Sequence, residues 1–460
     1  MSSLYPVILN EVKDLPRSAA PDRSPTHEQA FVPPRGEILR VAQNDNGGRS
    51  EPAEGSRATR GPSAAVGTTG VAVGTTKCPA DPDVYLTVLT DNLDQVAEAA
   101  GDILGPAQLA LVDRSMRRYL TAERELLDAR FETWLGEGHG DLRCEHICLE
   151  PDAMQIYDCV EFEIAIRCAD VASDLAFLLM DLRRLGAQEV AAELLERYRA
   201  AGFDLPQPVV DLYAAHRALV RAKVAALERS GRDADRDRVF AFEAASYLDL
   251  ATAFATPIAP MLVLVSGLSG SGKSTVAAAI ARATGGTVFA SDRVRKELAG
   301  LAATTSAAAE WHQGIYAADW TERTYDRLLA LATAELKRKR TAVVDATFLD
   351  NDQRERFAAA ARERGIPVAI VWTELDDEVA RQRLERRARE RNDPSDASMQ
   401  IREHQQKLLR DIPLRIPEGA LAATVDTGVD GPASLDPLLT VLDAAGSIGA
   451  LLPDRTMSRA

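Results

Sequence analysis

Nine residues, GLSGSGKST from Gly267 to Thr275, fit the pattern G-x-x-x-x-G-K-[ST]. They stand between an apolar strand-like run, MLVLVS, and a helix-like run, STVAAAIARAT. Gly267, Gly270 and Gly272 free the backbone to wrap so that successive N–H groups point at phosphate oxygens, and the helix N-terminus adds partial positive charge. In such a loop Lys273 would reach the β- and γ-phosphates of ATP, and the Ser274 hydroxyl would hold Mg²⁺. Ser269, Ser271 and Thr275 complete the expected nucleotide-binding set. The alternative is an accidental loop rich in glycine and serine, and the flanking strand and helix speak against it.

Two further stretches supply groups that could face a γ-phosphate. In SDRVRKELAG, Asp292 and Arg295 are spaced to share one side of a helix at a strand-to-helix junction. Asp292 could accept a proton from an acceptor hydroxyl, and Arg295 could orient the acceptor or the phosphoryl group. As purely structural residues they would be a helix N-cap and a solvated arginine. In TAVVDATF a short apolar run delivers Asp345 to the same sheet edge, where a carboxylate can hold Mg²⁺ and Thr347 can add a hydroxyl. Arg381, Arg383, Arg386, Arg387, Arg389 and Arg391 crowd one helix-like run. That run could close over a nucleotide and neutralise charge, or could be a solvated basic face.

These motifs make residues 260 to 445 resemble the small P-loop kinases related to gluconate kinase and the 5'-kinase half of polynucleotide kinase. The resemblance implies that the D-x-x-R pair, here Asp292 and Arg295, handles the acceptor. It also implies that Arg383 and Arg387 belong to a lid over ATP.

A second motif, GHGDLRCEHI at 138 to 147, precedes IYDCVEF and DVASDLAF. Together they resemble the C-terminal lobe of aminoglycoside phosphotransferases. That likeness implies Asp141 as the catalytic aspartate, Asp158 or Glu161 as a metal ligand, and Asp170 with Asp174 as a structural pair. The position of a metal-binding Asn holds His146, and a neutral imidazole is a poor ligand for hard Mg²⁺. Between Lys77 and Lys223 there is no lysine to contact α- and β-phosphates. The expectation is therefore a degenerate site at Asp141, His146 and Asp158. The order of motifs as a whole resembles bacterial proteins that fuse an aminoglycoside phosphotransferase-like domain to an ATP-binding, AAA-type P-loop kinase domain.

The elements that must position these residues differ along the chain. Residues 1–80 are rich in Pro, Gly, Ser, Thr and Arg without a sustained period, which predicts a disordered or spurious extension. Residues 81–255 show helical spacing, as at Leu109, Leu111, Met116, Tyr119 and Leu120, interrupted near 147–160 by two short strand-like runs. FATPIAP, at 254–260, reads as a linker. In 256–446, strand-like MLVLVS, TVFAS, TAVVDAT, PVAIVWT and AATVDT alternate with helix-length segments, the pattern of a parallel sheet. The expected fold is α/β: a P-loop kinase domain with helices flanking a parallel sheet, preceded by a mostly helical α+β half resembling a protein-kinase C-lobe. Residues 447–460 are expected as a tail.

Composition narrows the partners. The chain has 54 Lys and Arg against 69 Asp and Glu, a formal charge of -15, which repels nucleic acid unless a local basic patch intervenes. No apolar run is long enough to span a membrane, and the N-terminus lacks the pattern of an export signal, so a cytoplasmic location and a small-molecule substrate are expected. Cys78, Cys144, Cys148, Cys159 and Cys168 have spacings that match no common zinc pattern, and reduced thiols are expected.

Overall fold

The computed structural model describes residues 82–150, 153–161, 167–301, 317–390, 399–429, 431–449 and 451. The expected extension at 1–80, including Lys77, and Arg391 lie outside them.

The first half is a helical body carrying two small antiparallel strand pairs. It contains α1 (Pro82–Ala100), α2 (Pro106–Ala122), α3 (Arg124–Trp134), β1 (Leu135–Glu137), a 3-10 turn (Cys144–His146), β2 (Ile147–Glu150) and β3 (Ala153–Ile156). There follow β4 (Cys168–Asp170), α4 (Val171–Arg184), α5 (Gln188–Ala200), α6 (Gln207–Leu227) and α7 (Ala234–Ala255). Strands β1 and β4 pair antiparallel, as do β2 and β3, so the two strands expected near 147–160 are present. Asp170 caps α4 by accepting from the Ala172 amide at 2.9 Å, and α4 is buried from Val171 through Asp181. One apolar core runs through α1 to α7, with Met116, Phe177, Tyr198 and Leu219 almost wholly buried.

The second half contains β5 (Leu262–Gly267), α8 (Lys273–Thr284), β6 (Thr287–Ala290), α9 (Ser291–Leu298), α10 (Ala318–Lys337) and β7 (Ala342–Asp345). It continues with α11 (Asn351–Arg362), β8 (Val368–Glu374), α12 (Asp377–Glu390), α13 (Met399–Asp411), β9 (Leu421–Asp426) and α14 (Asp436–Ala444). The five strands form one sheet in the order β6-β7-β5-β8-β9, and every pairing is parallel. Alternation along β5 explains the layers. Met261, Val263 and Val265 face a core shared with α8 and α14, while Leu262 and Leu264 face one shared with α10 and α11. The sheet grows outward in both directions from β5, so a crevice opens at its carboxyl end, where the order reverses.

The halves are joined by packing and by polar contacts. Leu111 of α2 enters the core of the sheet, and Leu451 enters the helical core. Asp436, in the first turn of α14, accepts from the Ala107 and Gln108 amides at 3.1 and 2.8 Å and so serves the exposed donors at the start of α2. On α7, the buried Asp249 is 2.9 Å from Arg282 of α8, and Gln108 donates to it at 3.1 Å. Burial pushes the Asp249 carboxyl up, and Arg282 opposes that push.

Cys144, Cys148 and Cys159 are free thiols, as expected, whereas Cys168 is disulfide-bonded. No helix among the described residues is long and apolar enough to cross a membrane.

Candidate functional site

The predicted phosphate loop is the turn between β5 and α8. Gly267, Gly270 and Gly272 have φ of 148°, 79° and 82°, a region that side chains disfavour. Space reinforces the torsions: a Cβ at Gly267 would collide with Thr373 Oγ1, and one at Gly270 would stand 3.0 Å from Leu384 Cγ of α12. Lys273 opens α8, and its Nζ donates to the Leu268 carbonyl at 2.8 Å, which brings the ammonium back across the loop. Ser274 Oγ donates to Asp345 Oδ2 at 2.6 Å. The hydroxyl and the carboxylate belong to stretches far apart in the chain. The parallel pairing of β5 with β7, which sets Val265 opposite Asp345, brings them together. Two hard oxygen donors side by side suit Mg²⁺.

The other hydroxyls of the loop point elsewhere. Ser271 Oγ lies 2.5 Å from Thr373 Oγ1, and Ser269 Oγ accepts from Gln405 Nε2 at 3.0 Å. Both serines shape the loop, and their amides are engaged as well: that of Ser269 donates to Gln405 Oε1 at 2.8 Å and that of Ser271 to the Leu268 carbonyl at 3.2 Å. Thr275 is exposed beside Ser274.

Asp292 and Arg295 lie on α9, immediately after β6, at the same edge of the sheet. Asp292 is half-buried in the first turn, whose N-cap is Ala290. Arg295 is buried. The structural alternative, a capping aspartate and a solvated arginine, therefore fails on both residues. Burial pushes the nearby Tyr325 hydroxyl up, while its 3.4 Å contact with Thr347 and the charge of Arg295 pull it down. Thr347 follows Asp345 by two residues, so Tyr325 touches the same edge as the Ser274–Asp345 pair.

Of the arginine-rich run, Arg383 donates to the Thr427 carbonyl at 2.6 Å, beside the loop. Exposed Arg381 pairs instead with Glu378 and Glu385 of its own helix. The backbone of Arg387 continues α12. Several residues around the loop escaped prediction: Thr373, Arg402, Gln405 and Thr427, all buried. Thr427 Oγ1 donates to the Ser271 carbonyl at 2.8 Å.

In the first half, Asp141, His146 and Asp158 do converge. His146 Nδ1 donates to the Asp141 carbonyl at 2.8 Å, and its Nε2 lies 3.4 Å from Asp158 Oδ2. Asp158 has φ of 63°, and its side chain is 74% exposed. The Asp141 carboxylate is taken by its own neighbour: Arg143 donates to both its oxygens, at 3.0 and 2.8 Å. Burial opposes the charge on Asp141, and Arg143 overcomes it, holding the carboxyl below its usual range. Asp170 and Asp174 are both buried. Asp170 pairs with Arg130 at 2.6 Å, and Asp174 accepts from the His139 amide and, at 3.0 Å, from the Gly140 amide. Glu161, the alternative ligand, is exposed.

The Asp141–Arg143 pair has a pH signature. A lowered native pKa means that stabilisation is fully present above the unfolded value of about 3.9 and is lost as pH falls through the native value. Arg143→Ala should therefore move the acid-unfolding midpoint, followed by circular dichroism, to higher pH. An unchanged midpoint would show that the pair contributes nothing.

Residues 262–412 match a family model described as an AAA domain. Uncharacterized proteins of Mycobacterium tuberculosis and Mycobacterium bovis are each 29% identical over 266 residues, covering 57% of this chain and 53% of theirs. The chain thus spans about half the length of the curated relatives it matches. Among solved structures, a gluconokinase from Sinorhizobium meliloti is 21% identical with a TM-score of 0.28, covering 41% of this chain and 95% of its own. A sugar kinase from a Janibacter species is 16% identical with a TM-score of 0.26, covering 40% and 92%. The stretch similar to the AAA domain model, 262–412, contains the phosphate-loop pattern and four of the five strands of the parallel sheet.

Proposed function

We propose that the second half transfers the γ-phosphoryl group of ATP to a hydroxyl of a small molecule. The observation that supports this best is the 2.6 Å contact of Ser274 with Asp345 beside a glycine-turned loop that ends in Lys273. In this reading the loop amides and Lys273 hold the phosphates, and Ser274 and Asp345 hold Mg²⁺, which when bound neutralises phosphate charge. Asp292 takes the proton of the acceptor hydroxyl, the acceptor oxygen bonds to the γ-phosphorus, and the bond to the β-phosphate oxygen of departing ADP breaks. Arg295 and Arg383, with Arg387 further along the same helix, counter the charge that develops. The negative formal charge of the chain argues for a small acceptor over a polynucleotide.

A screen of hydroxylated metabolites for ATP consumption by the full chain tests this. The expected result is a marked rise in ADP release with one chemical class, and release that is the same with every compound would sink the transfer reading. A second reading gains support from the contact of Arg282 with Asp249. Helix α8, which starts at Lys273, is tied directly to α7, so ATP hydrolysis could act as a switch read by a ligand- or partner-binding first half. That half, with Asp141 held by Arg143, would then work without transferring phosphate itself.

A further inference from the structure

Ser269, at the outer turn of the phosphate loop, has all three of its polar groups engaged by a single helix. Its amide donates to Gln405 Oε1 at 2.8 Å, its hydroxyl accepts from Gln405 Nε2 at 3.0 Å, and its carbonyl accepts from Arg402 Nη1 at 3.0 Å. Arg402 spends its remaining donors on the start of α12: Nε donates to Asp377 at 2.9 Å and Nη2 to the Leu375 carbonyl at 2.9 Å. Both side chains on α13 are about 2% exposed, so water does not compete for these bonds. The two residues are a helical turn apart, and that spacing lets one face of α13 grip a single residue.

We propose that Arg402 and Gln405 are positioning residues that hold the phosphate loop open for its ligand, and that they set its affinity for polyphosphate. The inference rests on the reading of Gly267–Thr275 as a nucleotide site. A loop whose amides must converge on phosphate loses conformational freedom on binding. A turn already fixed at Ser269 lowers that cost in advance. Because Arg402 also ties the loop to Asp377, the clamp couples the loop to α12, the helix that bears Arg383.

The test is calorimetric binding of Mg·ATP and of Mg·tripolyphosphate to the full chain. Gln405→Met, close in volume but unable to hydrogen-bond, should weaken both ligands by about tenfold, the loss expected from one or two buried hydrogen bonds. A purely structural role would lower the melting temperature and leave affinity for both ligands unchanged; a Gln405→Met dissociation constant within twofold of wild type for either ligand overturns the proposal. If that variant does not fold, Arg402→Lys, which keeps the charge and loses the fork, carries the same expectation and the same refutation. Wild-type protein that fails to bind Mg·ATP would refute the nucleotide site itself. Wild-type binding with an unaffected variant would refute only the clamp.

Discussion

Lys273→Ala should lower ATP turnover by about 10²–10³-fold, the usual cost of removing one preorganised donor from developing phosphoryl charge. The expectation follows from placement. Lys273 is the first residue of α8, and its Nζ is already held across the loop by the Leu268 carbonyl. The lost charge sits where the N-terminus of α8 and the loop amides converge, and no other lysine lies within the loop. Its side chain is not part of an apolar core, so the melting temperature should change little. Steady-state ADP release, read beside a thermal melt, checks both halves of the statement. The same variant tests the first half of the chain. A working phosphotransferase site at Asp141 would sustain aminoglycoside-dependent ATP consumption in Lys273→Ala. Loss of all turnover would leave the loop as the only source of it.

What could be read from the sequence was whatever depends on short-range spacing. The loop declared itself because three glycines, a lysine and a serine fall within nine residues, and the strands of the sheet did so because buried parallel strands are short unbroken apolar runs. Placing Asp345 beside Ser274 needed one further step, the inference that a third strand would end at the same sheet edge. The clamp on Ser269 left no such trace. Arg402 and Gln405 act on a residue more than a hundred positions earlier, and in MQIREHQQKLL they look like polar residues of any surface helix. Side-chain direction was also hidden. Ser269 and Ser271 belong to the loop by pattern, yet their hydroxyls turn toward Gln405 and Thr373, because close packing behind the loop leaves buried donors and acceptors to satisfy. In GHGDLR, Arg143 lies only two residues from Asp141, but the motif says nothing of whether the arginine points at the carboxylate or away from it. That orientation decides whether Asp141 is available for chemistry.

Asp292→Asn separates the two readings of the second half. If Asp292 takes the acceptor proton, the substitution should cut acceptor-dependent turnover by about 10²–10⁴-fold, the range for loss of a positioned general base. The amide is nearly the same size, and Asp292 makes no capping bond for α9, so the fold should be indifferent to the change. Mg·ATP affinity should also hold, because phosphate and Mg²⁺ are assigned to Lys273, Ser274 and Asp345, one and two strands away across the sheet. A switch that only hydrolyses ATP predicts a different pattern. Water would be the nucleophile, no acceptor would accelerate ADP release, and Asp292→Asn would leave the basal rate nearly unchanged. Measuring turnover with and without acceptor, alongside the Mg·ATP dissociation constant, distinguishes these outcomes. Unaltered acceptor-dependent turnover in Asp292→Asn would end the transfer assignment for this residue, while undiminished ATP binding would preserve the loop. Arg295 sharpens the comparison. It is buried on the same helix, one turn beyond Asp292, so Arg295→Lys, which keeps a charge but loses the planar fork, should raise the KM for the acceptor more than the KM for ATP.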